Sequence, residues 1–230
     1  MKDKGRKKEK MTTIIDLIIF EDDHLLAIAK PFGMLTQSDR TGDLAILDLA
    51  QDYVAEKGRA GDDYLGLVHR LDRPVGGVIL LARTLQATKC LSEMFKERKV
   101  KKMYLARVEG EMEPPSGELN HALLKSGKKV RVVKKGMTGA KEARLFYRTL
   151  DLVDGKNESL VEVELVTGRR HQIRAQLSEM GNPIIGDIKY GSTKRFINGG
   201  IALFSRSLTF LHPATGVEVT ISAEPPEELF

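Results

Sequence analysis

Residues 64–82 read Tyr-Leu-Gly-Leu-Val-His-Arg-Leu-Asp-Arg-Pro-Val-Gly-Gly-Val-Ile-Leu-Leu-Ala. The two apolar runs, 64–68 and 78–82, have the length and composition of strands. Between them Pro74 and the pair Gly76-Gly77 interrupt the pattern as a sharp turn does. Asp72 stands at the entrance to that turn, with Arg70 and Arg73 beside it. A carboxylate on a rigid turn among cations favours its ionised form, the form a carboxylate nucleophile needs. For an isolated Arg-Leu-Asp-Arg a salt-bridged surface turn explains the pattern better, so the surrounding chain decides.

On the N-terminal side, Ile14–Phe20 and Leu25–Ala29 flank Glu21-Asp22-Asp23-His24 and predict a hairpin, followed by the turn Pro31-Phe32-Gly33. Ile46, Leu49, Ala50, Tyr53 and Val54 recur at helical spacing and predict a helix over about 45–57. After residue 82, Thr84 fits the N-cap of a helix reaching about Arg98, with Leu85, Leu91, Met94 and Phe95 on its buried face. The remainder is richer in strands: 102–109, 117–124, 129–134, 141–150 and 160–165, the last alternating so that Val161, Val163 and Leu165 point inward. A helix is expected between Gly168 and Gly181, with Ile173, Leu177 and Met180 toward the core. Residues 208–210 and 217–221 predict a closing hairpin. Strands outnumber helices and hairpins dominate, which predicts an α+β fold with a mixed, mainly antiparallel sheet.

The chain has 230 residues, 41% hydrophobic and 30% charged, an ordinary composition for a globular protein that buries a sizeable core. No apolar run approaches the roughly 18 residues of a membrane span, and no apolar segment follows the charged N-terminus as in a secretory signal. One cysteine, Cys90, excludes a disulfide framework and suits a reducing cytosol, so a cytoplasmic location without a membrane partner is expected. The net charge of +5 is unevenly spread: residues 1–10 carry six basic and two acidic side chains and read as a disordered tail over about 1–11. That leaves about +1 for the rest, concentrated in two runs. Lys96, Arg98, Lys99, Lys101, Lys102 and Arg107 face one acid, Glu97; Lys125, Lys128, Lys129, Arg131, Lys134 and Lys135 face none. Together the runs suggest a phosphate-facing surface; either alone fits a solvated helix face or hairpin.

Two further segments complete a constellation with Asp72. Tyr104 begins a strand inside the first basic run; as an isolated residue it fits a core position, and beside a phosphate-facing surface it offers a flat ring for a flipped base. In Gly168-Arg169-Arg170-His171-Gln172-Ile173-Arg174, Arg170 and Arg174 are four apart and are expected to share a helix face, from which an arginine aimed at Asp72 would pin it. The five histidines show no metal-ligand spacing and Cys90 has no partner, so no metal site is expected. Neither a dinucleotide fingerprint nor a P-loop is present, and no G-x-S-x-G elbow occurs.

In order and wording these segments resemble the RluA-type pseudouridine synthases over nearly all of residues 14–225. The resemblance rests on Phe20-Glu21-Asp22-Asp23-His24-Leu25-Leu26 with Lys30-Pro31-Phe32-Gly33, on HRLD at 69–72, on Lys102-x-Tyr104-Leu105-Ala106 and on Gly168-Arg-x-His-Gln-Ile-Arg174. Gly186-Asp187, Tyr190-Gly191 and Leu-x-Phe-x-His-Pro at 208–213 continue it. It implies a pseudouridine synthase catalytic domain over 12–230, with two halves of a mixed sheet flanking an RNA cleft. It further implies isomerisation of uridine in ribosomal or transfer RNA with no metal and no organic cofactor; nothing in the sequence demands more than a monomer, which is the expected state. Asp72 is then the essential aspartate, Arg174 its ion-pair partner and Tyr104 the active-site tyrosine; His69, Arg70, Arg73, Arg169 and His171 are candidate RNA contacts. The chain departs from the family in two places. Val75-Gly76-Gly77 stands where Thr-Ser-Gly is common, and Ala202-Leu203-Phe204-Ser205 where many members read Ala-Leu-His-Ala. Two rivals are a non-catalytic RNA-binding protein that keeps the fold and a glycoside hydrolase, which would need a second carboxylate near Asp72.

Overall fold

The computed structural model describes residues 13–57, 64–153, 155 and 157–230; the basic tail expected over 1–11 lies outside them. The strands are β1 (Ile18–Glu21), β2 (Leu25–Lys30), β3 (Gly66–Leu67), β4 (Gly76–Ala82), β5 (Lys101–Glu109), β6 (Ser116–Ser126), β7 (Lys129–Val133), β8 (Lys141–Val153), β9 (Glu158–Leu165), β10 (Leu203–Leu211) and β11 (Glu218–Ser222). The helices are α1 (Ile14–Leu17), α2 (Ile46–Lys57), α3 (Leu85–Lys96) and α4 (Gln172–Glu179). No helix among the described residues is long and apolar enough to cross a membrane.

All eleven strands join one sheet, whose main path runs β1-β2-β4-β10-β5-β9-β8-β6-β7. Every pairing is antiparallel except β4 with β10, where Phe204 and Ser205 lie beside Gly76 and Gly77. β4 is buried along its whole length, as its unbroken apolar run requires. Gly77 makes the parallel pairing possible: its φ is +108°, and a β-carbon there would stand 2.2 Å from the Ser205 carbonyl oxygen. The expected mixed, mainly antiparallel α+β architecture is therefore the one observed. β9 buries Val161, Val163 and Leu165, the face its alternation predicts.

Three local expectations are corrected. Residues 14–17 form a helical turn in place of the start of a strand, because the Asp16 carboxylate accepts the Thr13 amide and hydroxyl hydrogens at 3.0 and 2.9 Å and closes a capping box. On α3, Thr84 does cap, accepting the Ala87 amide at 3.1 Å. Leu85, however, is the first residue of that helix and faces solvent, and Ala87 joins Leu91 on the buried face. α4 starts at Gln172, four residues after Gly168, since His171 adopts a left-handed backbone with φ of 51°. Arg170 therefore lies on an exposed turn before the helix while Arg174 is buried inside it, and the two share no face.

Candidate active site

Asp72 is fixed by the loops that surround its turn. The Val75 amide donates to the Asp72 carbonyl at 3.0 Å, closing the turn, and the Ile201 amide reaches the Pro74 carbonyl at 3.0 Å. The Thr36 hydroxyl donates to the Leu71 carbonyl at 2.8 Å and accepts the Leu71 amide at 3.3 Å. Beneath the turn, Lys30 is 1% exposed and its ammonium donates to the carbonyls of Pro31, Met34 and Arg73 at 2.9, 2.8 and 3.2 Å. Burial pulls its pKa down to about 7 against the attraction of Asp72, with Arg73 adding to the decrease. Three carbonyl acceptors match the three hydrogens of an ammonium. Replacing Lys30 by Met would strand those carbonyls beside Asp72, and we expect urea denaturation to show a loss of about 2–4 kcal/mol. A loss below about 0.5 kcal/mol would mean the carbonyls find other donors.

Arg174 joins Asp72 to a second carboxylate. Its Nη1 donates to Asp72 Oδ2 at 3.0 Å, while Nε and Nη2 fork onto Asp187 Oδ2 and Oδ1 at 2.6 and 2.9 Å. The two acids differ in access: the Asp72 side chain is 28% exposed and that of Asp187 1%. Burial works against the Arg174 charge, but Asp187 and Asp72 outweigh it and raise the pKa. The guanidinium also lies 5.0 Å from the centre of the Tyr190 ring. Asp187 thus presets the arginine and leaves one edge of it for the partly exposed Asp72.

Tyr104 sits on β5, buried, with 8% of its surface exposed. Burial, reinforced by the Asp72 charge, pushes its phenol up to about 12, so the ring stays neutral. His171 presents Nε2 to Asp72 Oδ2 at 3.6 Å and Nδ1 to the Tyr190 hydroxyl at 2.8 Å. Burial pulls its pKa down to about 4 despite the attraction of Asp72.

The remaining candidate residues divide by where they spend their polar atoms. His69 Nε2 accepts the Leu80 amide at 2.9 Å and its ring stacks 4.8 Å from Phe95, so Nε2 is committed within the protein. Burial, with Lys102 adding to it, drives its pKa down to about 3. His171 is likewise turned inward, onto Asp72 and Tyr190. Arg73 braces the turn, donating to the Gly33 carbonyl at 2.9 Å and to Asp43 Oδ2 at 2.7 Å. Arg169 donates to the Glu142 carbonyl at 2.9 Å, and Arg70 is exposed. Lys30, Asp187 and Tyr190 were not singled out from the sequence by chemistry. All three lie in segments shared with the RluA-type family, Lys30-Pro31-Phe32-Gly33, Gly186-Asp187 and Tyr190-Gly191, but no spacing marks a lysine destined for burial.

The two basic runs also diverge. In the first, Lys99 pairs with Glu97 at 2.6 Å, Lys101 with Glu164 at 3.5 Å and Arg107 with Glu158, while Lys102 is 7% exposed. In the second, carried by the β6–β7 hairpin and the segment after it, no ion pair with a carboxylate occurs among the described residues. The hairpin docks on the turn after Asp187: Lys189 Nζ donates to the Lys128 carbonyl, and the Val130 amide donates to the Tyr190 hydroxyl at 2.9 Å. The hairpin that carries these cations is thereby anchored to Tyr190, whose hydroxyl also meets His171 beside Asp72.

The two departures in sequence meet in space. A β-carbon on Gly76 would lie 3.0–3.1 Å from the Phe32 ring, and Phe32 packs 6.0 Å from Phe204 and 5.2 Å, edge-on, from Phe196. An aromatic cluster takes the room that a serine at 76 would use. Gly76→Ser is expected to destabilise the fold by about 1–2 kcal/mol through overpacking. The same change in a Phe32→Ala background should cost measurably less in thermal melts, because the two positions compete for one volume. Equal losses in both backgrounds would dissociate them.

Similarity to known proteins agrees with this geometry. Residues 24–179, more than half of the chain, match the family model described as RNA pseudouridylate synthase. The tRNA pseudouridine synthase C of Haemophilus ducreyi is 33% identical over 225 residues, 90% of this chain and 89% of that protein. The dual-specificity RNA pseudouridine synthase RluA of Escherichia coli is 32% identical over 208 residues, covering 90% and 92%. Among solved structures, the human RNA pseudouridylate synthase domain containing 4 superposes with a TM-score of 0.78 at 24% identity, over 94% of this chain and 91% of that one, a likeness of fold. Matched by that family model over most of its length and at least 32% identical to these two synthases over nine-tenths of it, the chain belongs to the RNA pseudouridylate synthase family.

Proposed function

We propose that the protein converts uridine to pseudouridine in ribosomal or transfer RNA, with Asp72 as the catalytic carboxylate, Arg174 as its ion-pair partner and Tyr104 as the surface under the flipped base. The observation that carries this reading is the accessible Asp72 carboxylate, pinned at 3.0 Å by an arginine whose Nε and Nη2 are forked onto buried Asp187. Substrate and product have the same atoms, so the reaction needs no co-substrate and, in this reading, no metal or organic cofactor. The base leaves C1′ through N1, turns and returns through C5; the C5 proton passes to water and N1 takes up a proton from water, so the atoms balance. Extrusion of the nucleotide costs a few kcal/mol of stacking, which contacts between phosphates and the cations of the β6–β7 hairpin offset.

The Asp187 carboxylate does not supply the second acid of a glycoside hydrolase, since both its oxygens are bound to Arg174 at 1% exposure. The direct test is tritium release from C5-labelled ribosomal and transfer RNA transcripts. Release from either identifies the substrate class. RNA binding with no release from both would replace this reading with a non-catalytic RNA-binding protein.

A further inference from the structure

The carboxylate oxygens of Asp72 are not equivalent. Oδ2 accepts from Arg174 Nη1 at 3.0 Å and faces His171 Nε2 at 3.6 Å, while among the described residues no hydrogen bond reaches Oδ1. What His171 can offer depends on which nitrogen carries its hydrogen. The chain of contacts behind it favours one answer, in which the buried hydroxyl hydrogen of Tyr190 also finds an acceptor. The Val130 amide has only a hydrogen to give, so at 2.9 Å the Tyr190 oxygen must accept it. The single hydroxyl hydrogen of Tyr190 is then free for His171 Nδ1 at 2.8 Å. A neutral imidazole that accepts at Nδ1 carries its hydrogen on Nε2, the nitrogen turned to Asp72.

The ring is held where this geometry needs it. His171 has the left-handed backbone of the α4 N-cap, with φ of 51°, a conformation that a β-carbon disfavours. Its ring meets Tyr190 edge-on at 5.7 Å and 89°, and is 9% exposed as a residue. The drop of its pKa to about 4 keeps it neutral near pH 7. The gap of 3.6 Å is of the kind that closes when substrate excludes water.

We propose that His171 is a positioning residue for Asp72, its Nε2 hydrogen imposed by a relay from the Val130 amide through the Tyr190 hydroxyl, so that Oδ2 is held from two sides and Oδ1 is the oxygen presented to the nucleoside. The inference rests on the reading of Asp72 as the catalytic carboxylate. It places the origin of the relay in the β6–β7 hairpin, so the hairpin backbone takes part in orienting the reacting group.

Two variants leave the frame in place. Tyr190→Phe keeps the ring under Arg174 and removes only the oxygen. His171→Asn keeps a residue that tolerates the left-handed backbone and removes the link. Both are compared with the wild type in single-turnover tritium release at saturating C5-labelled transcript, in RNA affinity, and by ring nitrogen NMR, with the His171 signal assigned by its loss in His171→Asn. We expect the saturated rate to fall about 10–100-fold in each, the penalty of a misplaced reacting group, with RNA affinity within about twofold. The double variant should be no slower than the slower single one, since both break the same relay. In the wild type, Nδ1 should be unprotonated and Nε2 protonated, and Tyr190→Phe should lose that preference. A wild-type saturated rate in Tyr190→Phe, with only RNA affinity changed, would reduce Tyr190 to a seat for the hairpin and overturn the proposal. A hydrogen on Nδ1 of wild-type His171 would overturn it without any variant. Asp72→Asn, run alongside, separates the two levels: full activity there removes the underlying reading, whereas inactivity there with unaffected relay variants removes the relay alone.

Discussion

Asp72→Asn should abolish tritium release from C5-labelled RNA, lowering the single-turnover rate by about four orders of magnitude or more. The substitution is nearly isosteric, and an amide oxygen can still accept from Arg174, so the site should keep its shape. What disappears is the negative charge and the electron pair that goes with it. Arg174 retains its fork on Asp187 at 2.6 and 2.9 Å, so the arginine has no reason to move. The stability change should accordingly stay near about 1 kcal/mol, typical of a partly exposed pair. RNA affinity should be unchanged or slightly higher, since a negative charge facing phosphates has been removed. Undiminished release by a folded Asp72→Asn protein would show that the aspartate is not the reacting group.

Arg174→Met should damage both stability and turnover. Removing the guanidinium leaves the Asp187 carboxylate, 1% exposed, without a counter-charge, a loss of about 3–5 kcal/mol in urea denaturation. Arg174→Lys restores the charge but not the fork, and a single ammonium cannot serve both carboxylates with the same geometry. Its stability should fall between those of the wild type and the methionine variant. Adding Asp187→Asn to Arg174→Met should return much of the lost stability, because the stranded charge is gone, and none of the activity, because Asp72 is still unpinned. If the double variant regained activity, the role assigned to Arg174 at Asp72 would be wrong.

How much of this was legible in the chain differs by element. Helix α2 was readable to within a residue at its start, because its apolar side chains recur at helical spacing over three turns. Thr84 was readable because an N-cap is a local chemical event. The helical turn of α1 was not, since two adjacent isoleucines favour a strand and only the Thr13–Asp16 side-chain contacts reverse that preference. The strand β10 begins five residues earlier than the apolar pattern at 208–210 suggests, because its first half is defined by pairing with β4 and β5, which the local sequence does not encode. In the site, Asp72 stood out on its turn, but the partners that fix it are remote. Arg174 is 102 residues away, and Lys30 braces Arg73 from 43 residues away. Arg170 and Arg174 differ in nothing but four positions of chain, and a single left-handed residue between them sends one to solvent and the other to the carboxylate.

The placement of β10 governs when the enzyme comes into being. In the sheet it lies between β4 and β5, so the strands before α3 and those after it touch along the sheet only through a segment near the end of the chain. The turn bearing Asp72 leads into the pairing of Gly76 and Gly77 with Phe204 and Ser205, more than a hundred residues later. Closing so long a loop is entropically slow, and such contacts form late in folding. A nascent chain halted before residue 203 holds Asp72, Tyr104 and Arg174 yet lacks the strand that joins β4, which follows the Asp72 turn, to β5, which carries Tyr104. Synthesis of the last strand pair is therefore the step that lets the two parts of the sheet meet.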